Sequence, residues 1–317
     1  MSQIVVPIFL VILVGFVFGW KYKYPAAAEK LINDYILYIA LPALLFLAIA
    51  RANIVELTQW GFLGATLSGI LVAYVCGVLW ARARGTALPG ASLMGMGSRY
   101  GTTGYMGIPI LIAAFGPHAA VPAAIATILH NIPAIVTVIV THDLADKSRS
   151  NLFASISRAL LTTLRNPLVI AVIAGSAFSI LHIPLPGIAV AFAQFFGAAA
   201  GPTALFALGL GLAGLNVSAR SLRANAGFVA PLVLIKIVVQ PLVTFGVLNL
   251  IFGMQVDIWY ATALVMAAQP IGAGAYVFAT RYSAFKEEIS IAIVISLIVT
   301  VVTLSLLLQV LSQRLPS

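Results

Sequence analysis

Apolar stretches about 20 residues long make up most of the chain, and short connections carry nearly all of its charged residues. A helix needs about 20 apolar residues to cross the hydrocarbon layer of a bilayer. Hydrophobic residues account for 62% of the 317 residues and charged residues for 8%, too few polar side chains to cover a water-soluble domain. We therefore predict an all-α polytopic membrane protein with ten transmembrane helices.

The predicted spans share this apolar character, and the fourth and ninth are interrupted by glycine and proline. They cover residues 4–20, 31–50, 59–80, 92–115, 119–140, 167–182, 188–211, 227–252, 258–280 and 289–311. Because ten is an even number, both chain termini are predicted to lie on the same side of the membrane.

The net charge of +9 follows from this topology and does not indicate a nucleic-acid partner. The terminal side of the membrane carries only Arg51 and Arg314. Thirteen basic residues lie in the connections on the other side: Lys21, Lys23, Lys30, Arg82, Arg84, Lys147, Arg149, Arg158, Arg165, Arg220, Arg223, Arg281 and Lys286. The positive-inside rule places these loops in the cytoplasm, against anionic lipid. We predict a multi-pass protein of the cell (inner) membrane, with both termini extracytoplasmic.

The two halves of the chain repeat each other weakly. A shift of 160 positions brings together Pro7 and Pro167, Gly15 and Gly175, Phe18 and Phe178, Pro42 and Pro202, Leu45 and Leu205, and Phe46 and Phe206. A shift of 161 lays Pro109 on Pro270. Since each half has five spans, the second enters the membrane in the opposite sense, as in many secondary transporters. We predict a first repeat at 1–141, a cytoplasmic linker at 142–165 and a second repeat at 166–317.

Two glycine- and proline-containing stretches, at residues 95–109 and 267–276, predict broken helices in the fourth and ninth spans. Glycine weakens a helix and proline removes a backbone donor, so the freed polar groups must be buried in protein or face a water-filled cavity. Where two such helices cross, the helix N-termini present unpaired amides and a positive dipole, which suit an anion. We predict a substrate site at this crossing.

Three stretches resemble the auxin efflux carrier family, whose bacterial members include carriers assigned to malonate. They are Leu-Pro-Ala-Leu-Leu-Phe at 41–46, Gly-Tyr-Met-Gly-Ile-Pro at 104–109, and the run from Lys236 to Pro241. The resemblance implies two inverted five-helix repeats with fourth and ninth crossover helices, the plan of sodium/proton antiporters and bile-acid symporters. It also implies scaffold and transport parts, each built from both repeats, and a homodimer. Many members have asparagine where this chain has Thr102 and Gly274, so the resemblance leaves the substrate open.

Two deeply placed basic residues are the first candidates for the site. Arg99, just before the first break, either binds a carboxylate bidentately or neutralises the end of the half-helix that it terminates. Lys236, with Gln240 one turn later, is a second cation at the anion site, a group whose protonation follows transport, or a structural charge that compensates helix carbonyls. His130 and Asn131 form a proton relay or contact substrate, or His130 bonds a helix carbonyl.

Uncharged residues complete the predicted substrate site: Thr102, Thr103, Tyr105, Pro109, Gln269, Pro270, Gly274 and Tyr276. Gln194 is expected nearby. No carboxylate falls at the predicted midplane, which favours an anionic substrate over sodium or proton antiport. We predict no metal site and no cofactor, with sodium or protons as coupling ions if the substrate is imported.

The predicted function is a secondary active or potential-driven transporter of a small organic anion, a malonate- or auxin-like carboxylate, by alternating access. One alternative is a sodium-coupled organic-anion symporter of the bile-acid type. An anion channel using the same cationic centre would differ in rate. An intramembrane enzyme built on His130, Lys236 and Cys76 is disfavoured, because no motif places a nucleophile beside a base.

Overall fold

The computed structural model describes residues 2–22, 26–52, 59–145, 151–214 and 219–315. These residues form fifteen α-helices and no β-strand, which confirms the all-α prediction. The helices are α1 Ser2–Tyr22, α2 Ala26–Tyr35, α3 Leu41–Ala50, α4 Trp60–Ala83, α5 Leu88–Arg99, α6 Ile108–Phe115, α7 Ala120–Ala145, α8 Leu152–Leu164, α9 Pro167–Ile180, α10 Gly187–Ala213, α11 Ala219–Leu234, α12 Gln240–Gly246, α13 Ile258–Ala267, α14 Ala273–Arg281 and α15 Lys286–Arg314. Part of the predicted linker, residues 146–150, lies outside the described residues.

Six helical stretches of the described chain are long and apolar enough to cross a membrane. They are Lys30–Ala50, Trp60–Ala83, Pro117–Ala145, Gly187–Ala213, Arg220–Ile251 and Lys286–Arg314. The other four predicted spans correspond to α1, whose stretch Val6–Tyr22 is a shorter apolar helix, to α9, and to the two broken pairs α5–α6 and α13–α14. Large apolar side chains such as Ile188 and Leu250 are 84% and 88% exposed, as expected of surfaces that face lipid.

A separate amphipathic helix occupies the end of the predicted linker. α8 packs against α7, and Arg158 donates two hydrogen bonds to Asp143 Oδ2 at 2.9 and 3.2 Å. Small and polar residues, Ser155, Ala159 and Thr163, form its buried face. A bend of 74° separates α8 from α9, so α8 is not a continuation of the following helix.

Both predicted helix breaks are present, but the first is much shorter than predicted. α5 remains helical to Arg99, residues 100–102 are unwound, and a π-helical turn at Thr103–Gly107 leads into α6. Gly95 therefore lies inside α5, where a Cβ would come within 2.6 Å of Val78 Cγ2. Pro109 is the second residue of α6, directly after the π-helical turn.

The second break covers residues 268–272, between α13 and α14, and contains Pro270 as predicted. The two breaks correspond at a shift that differs from the predicted 161. Leu88 and Ile258, which begin the helices before the breaks, lie 170 positions apart, as do Thr103 and Ala273. Pro109 lies in α6, after the first break, whereas Pro270 lies inside the second break, so the two prolines differ in their position relative to the breaks.

Two close helix contacts link the halves of the chain. α1 packs against α10, and a Cβ on Gly15 would come within 2.2 Å of the carbonyl oxygen of Phe206. α3 packs against α9, and a Cβ on Gly175 would come within 2.9 Å of the carbonyl oxygen of Phe46. Only glycine permits such an approach of one backbone to another, so these positions require it.

Candidate functional site

The two unwound segments pair with each other through their backbones. The amide of Thr102 donates to the carbonyl oxygen of Pro270 at 3.0 Å, and the amide of Gly272 donates to the carbonyl oxygen of Tyr100 at 2.8 Å. Each segment thus satisfies backbone groups that the other helix break has freed. Unpaired backbone groups are costly inside a membrane, so the two breaks stabilise each other.

Gly101 lies where this pair meets a third element. A Cβ on Gly101 would come within 3.2 Å of Gln269 Cβ and 3.5 Å of Lys236 Nζ. Lys236 belongs to the π-helical turn Ile235–Val239 between α11 and α12. The pairing therefore brings three of the distant sequence regions predicted for the site into contact.

Lys236 is fully buried, and its Nζ donates to the carbonyl oxygen of Ala267 at 2.5 Å. Ala267 is the last residue of α13, where the helix dipole is negative. No carboxylate of the described residues forms an ion pair with Lys236. The contact agrees with the interpretation that Lys236 compensates a half-helix end, while two of its three N–H donors have no assigned acceptor.

Arg99 points away from the crossing. Its Nη2 donates to the carbonyl oxygen of Pro133 and to Thr137 Oγ1, each at 2.6 Å, and its guanidinium lies 4.5 Å from the centre of the Tyr74 ring. Arg99 thus joins α5 to α7 and α4, and no described hydrogen bond links it to the carbonyls at the end of α5. Its Nε is buried without a partner.

His130 on α7 and Gln240 at the start of α12 form a buried polar pair. His130 Nδ1 donates to the carbonyl oxygen of Ala126 at 2.8 Å, so Nε2 is the acceptor of the 3.2 Å contact with Gln240 Nε2. Both side chains are nearly inaccessible to solvent. These contacts define a neutral histidine bonded to a helix carbonyl.

Asn131 contacts the crossing through Tyr100, a residue that the sequence analysis missed. Tyr100 Oη donates to Asn131 Oδ1 at 2.5 Å, and Asn131 Nδ2 donates to the carbonyl oxygen of Thr127 at 2.8 Å. The Tyr100 ring also covers Gly274, where a Cβ would come within 2.6 Å of Oη. The position of Tyr100 directly before the glycine-rich break was the available signal.

Three oxygen atoms near the breaks are buried without a hydrogen-bond partner: Thr103 Oγ1, Gln240 Oε1 and Gln269 Oε1. Gln269 Nε2 is occupied, since it donates to the carbonyl oxygen of Val265 at 3.0 Å. Buried polar atoms in native proteins nearly always have partners. Each of these oxygens can therefore accept a hydrogen bond from a water molecule or a ligand.

Four residues predicted in or near the site lie outside the crossing. Tyr276 is 38% exposed on α14, and Tyr105 packs at the edge of the largest buried apolar cluster. Pro109 and Gln194 instead line a cavity of about 840 Å³ between α1, α3, α6, α7 and α10. The sequence did not predict this cavity, because it forms between helices that are far apart in the chain.

The cavity extends along α6. Pro109 of α6 and Gly201 of α10 line it side by side, since a Cβ on Gly201 would come within 3.4 Å of Pro109 Cβ. Arg51, which follows α3, and His118, which follows α6, also line it. α6 has 8 residues and so a length of about 12 Å. Proline, alanine, glycine and aliphatic side chains form most of the wall.

Residues 1–308 match a family model described as "Membrane transport protein". The chain belongs to this family. The match covers nearly the whole transporter and confirms the resemblance to auxin efflux carriers. The transporter is also 28% identical over 324 residues to a protein of Rhizobium meliloti (strain 1021) named "Putative malonate transporter", an alignment that covers 100% of this chain and 98% of the relative.

Proposed function

We propose that the transporter is a secondary carrier that moves a small organic anion, a carboxylate, across the inner membrane by alternating access at the paired unwound segments. The observation that carries the proposal is the pairing of residues 100–102 with 268–272 beside the buried Lys236, which forms no ion pair with a carboxylate of the described residues. Unwound helices at membrane depth are typical of transporter binding sites. A buried cation with free donors attracts an anion.

The polarity of the segments after the breaks strengthens this proposal. The π-helical turn beginning at Thr103 and the helix beginning at Ala273 both start at the crossing, so their N-terminal amides and positive dipole ends face it. When protonated, Lys236 adds positive charge near Gly101. An anion at this place meets attraction from both halves of the chain.

The energy source that the proposed carrier needs depends on whether the anion is exported or imported. An inside-negative membrane potential drives an anion outward with about 2.3 kcal/mol per charge per 100 mV, without a coupled ion. Import needs sodium or protons. The unpartnered oxygens of Thr103, Gln240 and Gln269 favour sodium coupling as a second candidate, a symporter of the bile-acid type, because sodium is a hard cation that binds oxygen ligands.

We propose two inverted five-helix repeats at 1–141 and 166–317, joined by the linker at 142–165. Reciprocal contacts support this architecture. Phe18 lies 5.5 Å from Phe206 between ring centres, and Phe178 lies 5.3 Å from Phe46. The four residues are related by the 160-residue shift, and two-fold symmetry makes each contact between repeats occur twice with the partners exchanged. The Gly15 and Gly175 contacts follow the same exchange.

The proposed scaffold consists of α1, α3, α9 and α10, which pack against one another. The proposed transport part carries both breaks together with α4, α7, α12 and α15. The 840 Å³ cavity lies between α6 and α7 on one side and α1, α3 and α10 on the other. Such a boundary is where relative motion would expose a substrate alternately to the two sides. We further propose that both termini lie outside the cytoplasm and that the protein forms a homodimer.

Transport by the purified full chain in liposomes tests this proposal. With an imposed inside-negative potential, labelled malonate, phenylacetate or isovalerate is expected to leave vesicles faster than without the potential. Lys236→Met is expected to lower the rate at least about tenfold, because hydrogen bonds to charged groups contribute about 1.5–3 kcal/mol. Lys286→Met is the matched control, since Lys286 is exposed at the start of α15.

Absence of carboxylate movement in either direction, with and without sodium and at several pH values, would overturn the proposal. Full activity of Lys236→Met would remove Lys236 from the site. Single-channel currents well above the turnover of a carrier would show that the protein is a channel instead.

A further inference from the structure

We propose that α8 is a lipid-binding helix whose exposed apolar side chains insert into the cytoplasmic leaflet, while Arg165, which caps the helix, binds the phosphate of an anionic lipid. The inserted side chains are Phe153, Ile156, Leu160 and Leu164, which we call the apolar face of α8. The partner is the membrane surface, at a place outside both the crossing and the cavity. The inference does not depend on what the transporter carries.

The sequence of α8 separates its apolar face from the face that packs on the protein. The members of the apolar face recur at intervals of three, four and four residues, so they lie on one side of the helix. Phe153 is 81% exposed and Leu164 is 52% exposed. The buried side consists of smaller residues: Ser155, Ala159 and Thr163. The described part of the chain therefore leaves the apolar face uncovered.

The turn after α8 sets the direction of the helix. Asn166 Oδ1 accepts the amide of Leu168 at 2.9 Å, and Pro167 takes the first position of α9, where its missing N–H is not needed. The resulting bend between α8 and α9 is 74°. α9 packs against α3, which belongs to the membrane-crossing stretch Lys30–Ala50. A helix at 74° to such a neighbour runs along the membrane surface.

The charge of this segment is positive. Residues 147–165 contain no acidic residue and four basic ones: Lys147, Arg149, Arg158 and Arg165. Arg158 is compensated by Asp143 at 2.9 Å. Among the residues that the structure describes, Arg165 forms no ion pair, and it is exposed. Its guanidinium can bind a phosphate through two parallel hydrogen bonds, so the end of α8 suits an anionic headgroup.

A second protein could also cover an apolar helix face, but the surroundings of α8 favour lipid. Ile170 and Ile173 of α9 are exposed, as expected of side chains that face acyl chains, and Ile170 follows Leu164 by six residues. The apolar face thus lies beside a surface already in contact with the bilayer. Helices with an apolar face and basic residues bind at the boundary between headgroups and acyl chains.

Quenching by spin-labelled lipid tests the insertion in the full chain, in nanodiscs that hold one copy each. Phe153→Cys and Leu160→Cys, each in a Cys76→Ser background, are labelled with bimane. Both labels are expected to be quenched by doxyl-phosphatidylcholine. Thr162→Cys is the matched control, because Thr162 is exposed and lies nine residues from Phe153, about 180° around the helix. If Phe153→Cys fails size-exclusion chromatography, Leu160→Cys gives the same test.

The role of Arg165 is tested by the charge of the quenching lipid. Doxyl-phosphatidylglycerol is expected to quench the label at position 160 at a lipid fraction about fivefold lower than doxyl-phosphatidylcholine. Arg165→Gln should remove most of this preference. Arg223→Gln, which changes an exposed arginine of α11, should leave the preference unchanged.

Two results would overturn the inference. Equal quenching at positions 153 and 162, or no quenching at positions 153 and 160, would show that the apolar face does not enter the bilayer; the latter result would leave that face to a protein partner. Quenching without preference for phosphatidylglycerol, or with a preference that Arg165→Gln does not lower, would show that Arg165 binds no anionic headgroup.

Discussion

The ring of Tyr100 occupies the space that a side chain at position 274 would need, with Oη 2.6 Å from the place of a Cβ on Gly274. The two residues belong to different breaks, so this contact fixes the distance between the two halves of the crossing. The same hydroxyl donates to Asn131 on α7. Tyr100 therefore holds together three elements of the proposed transport part.

Substitution Gly274→Ala should destabilise the protein by about 1–3 kcal/mol through this overlap. The double variant Gly274→Ala with Tyr100→Ala should lose less than the sum of the two single variants, because the smaller side chain at position 100 removes the clash. Thermal unfolding in detergent measures both. Gly246→Ala is the control, since a Cβ there meets nothing within 4 Å.

The reciprocal glycine contacts predict a loss of stability from alanine at Gly15 and at Gly175, one in each half of the chain. Gly15→Ala and Gly175→Ala should each lower the melting temperature, and Gly15→Ala should lower it more. A Cβ on Gly15 would approach the Phe206 oxygen to 2.2 Å, against 2.9 Å between position 175 and the Phe46 oxygen. Gly187→Ala, where a Cβ meets nothing within 4 Å, should have little effect. Tolerance of alanine at both positions would contradict the close packing.

Arg99→Gln should reduce stability by about 1.5–3 kcal/mol, because it removes a charged donor from the Pro133 carbonyl and from Thr137. The stability of Arg99→Lys should fall between that of Arg99→Gln and that of the unmodified protein. Lysine retains a charged donor but loses the guanidinium contact with the Tyr74 ring. Chemical unfolding of both variants tests this role. If Arg99 binds substrate instead, Arg99→Gln would unfold like the unmodified protein and weaken carboxylate transport alone.

The His130 and Gln240 pair predicts coupling between two variants. Gln240→Leu leaves His130 Nε2 buried without a donor and should cost about 1–3 kcal/mol. Adding His130→Phe removes that unsatisfied atom. The double variant should therefore lose less stability than the two single variants together. A double-mutant cycle of unfolding free energies measures the coupling. A coupling of zero would show that the 3.2 Å contact contributes nothing to stability.

The sequence predicted the features that depend on local chemistry. Apolar stretches predicted the helices, and glycine and proline predicted both breaks, because these residues act on their own backbone. Glycine and proline also made the first break appear too long. Gly95 lies inside α5, where it packs against α4, and Pro109 lies in α6. Tyr100 was missed because its contacts with Asn131 and Gly274 depend on which helices become neighbours.

Because residues 100–102 and 268–272 are hydrogen-bonded to each other, neither segment can change its exposure alone without leaving backbone groups unpaired. An unmade amide–carbonyl bond in an apolar medium forfeits about 4–6 kcal/mol. We therefore expect the two segments, one from each half of the chain, to move together. In the proposed carrier, a substrate bound beside Gly101 and Lys236 would therefore be in contact with segments from both halves of the chain at every stage of transport.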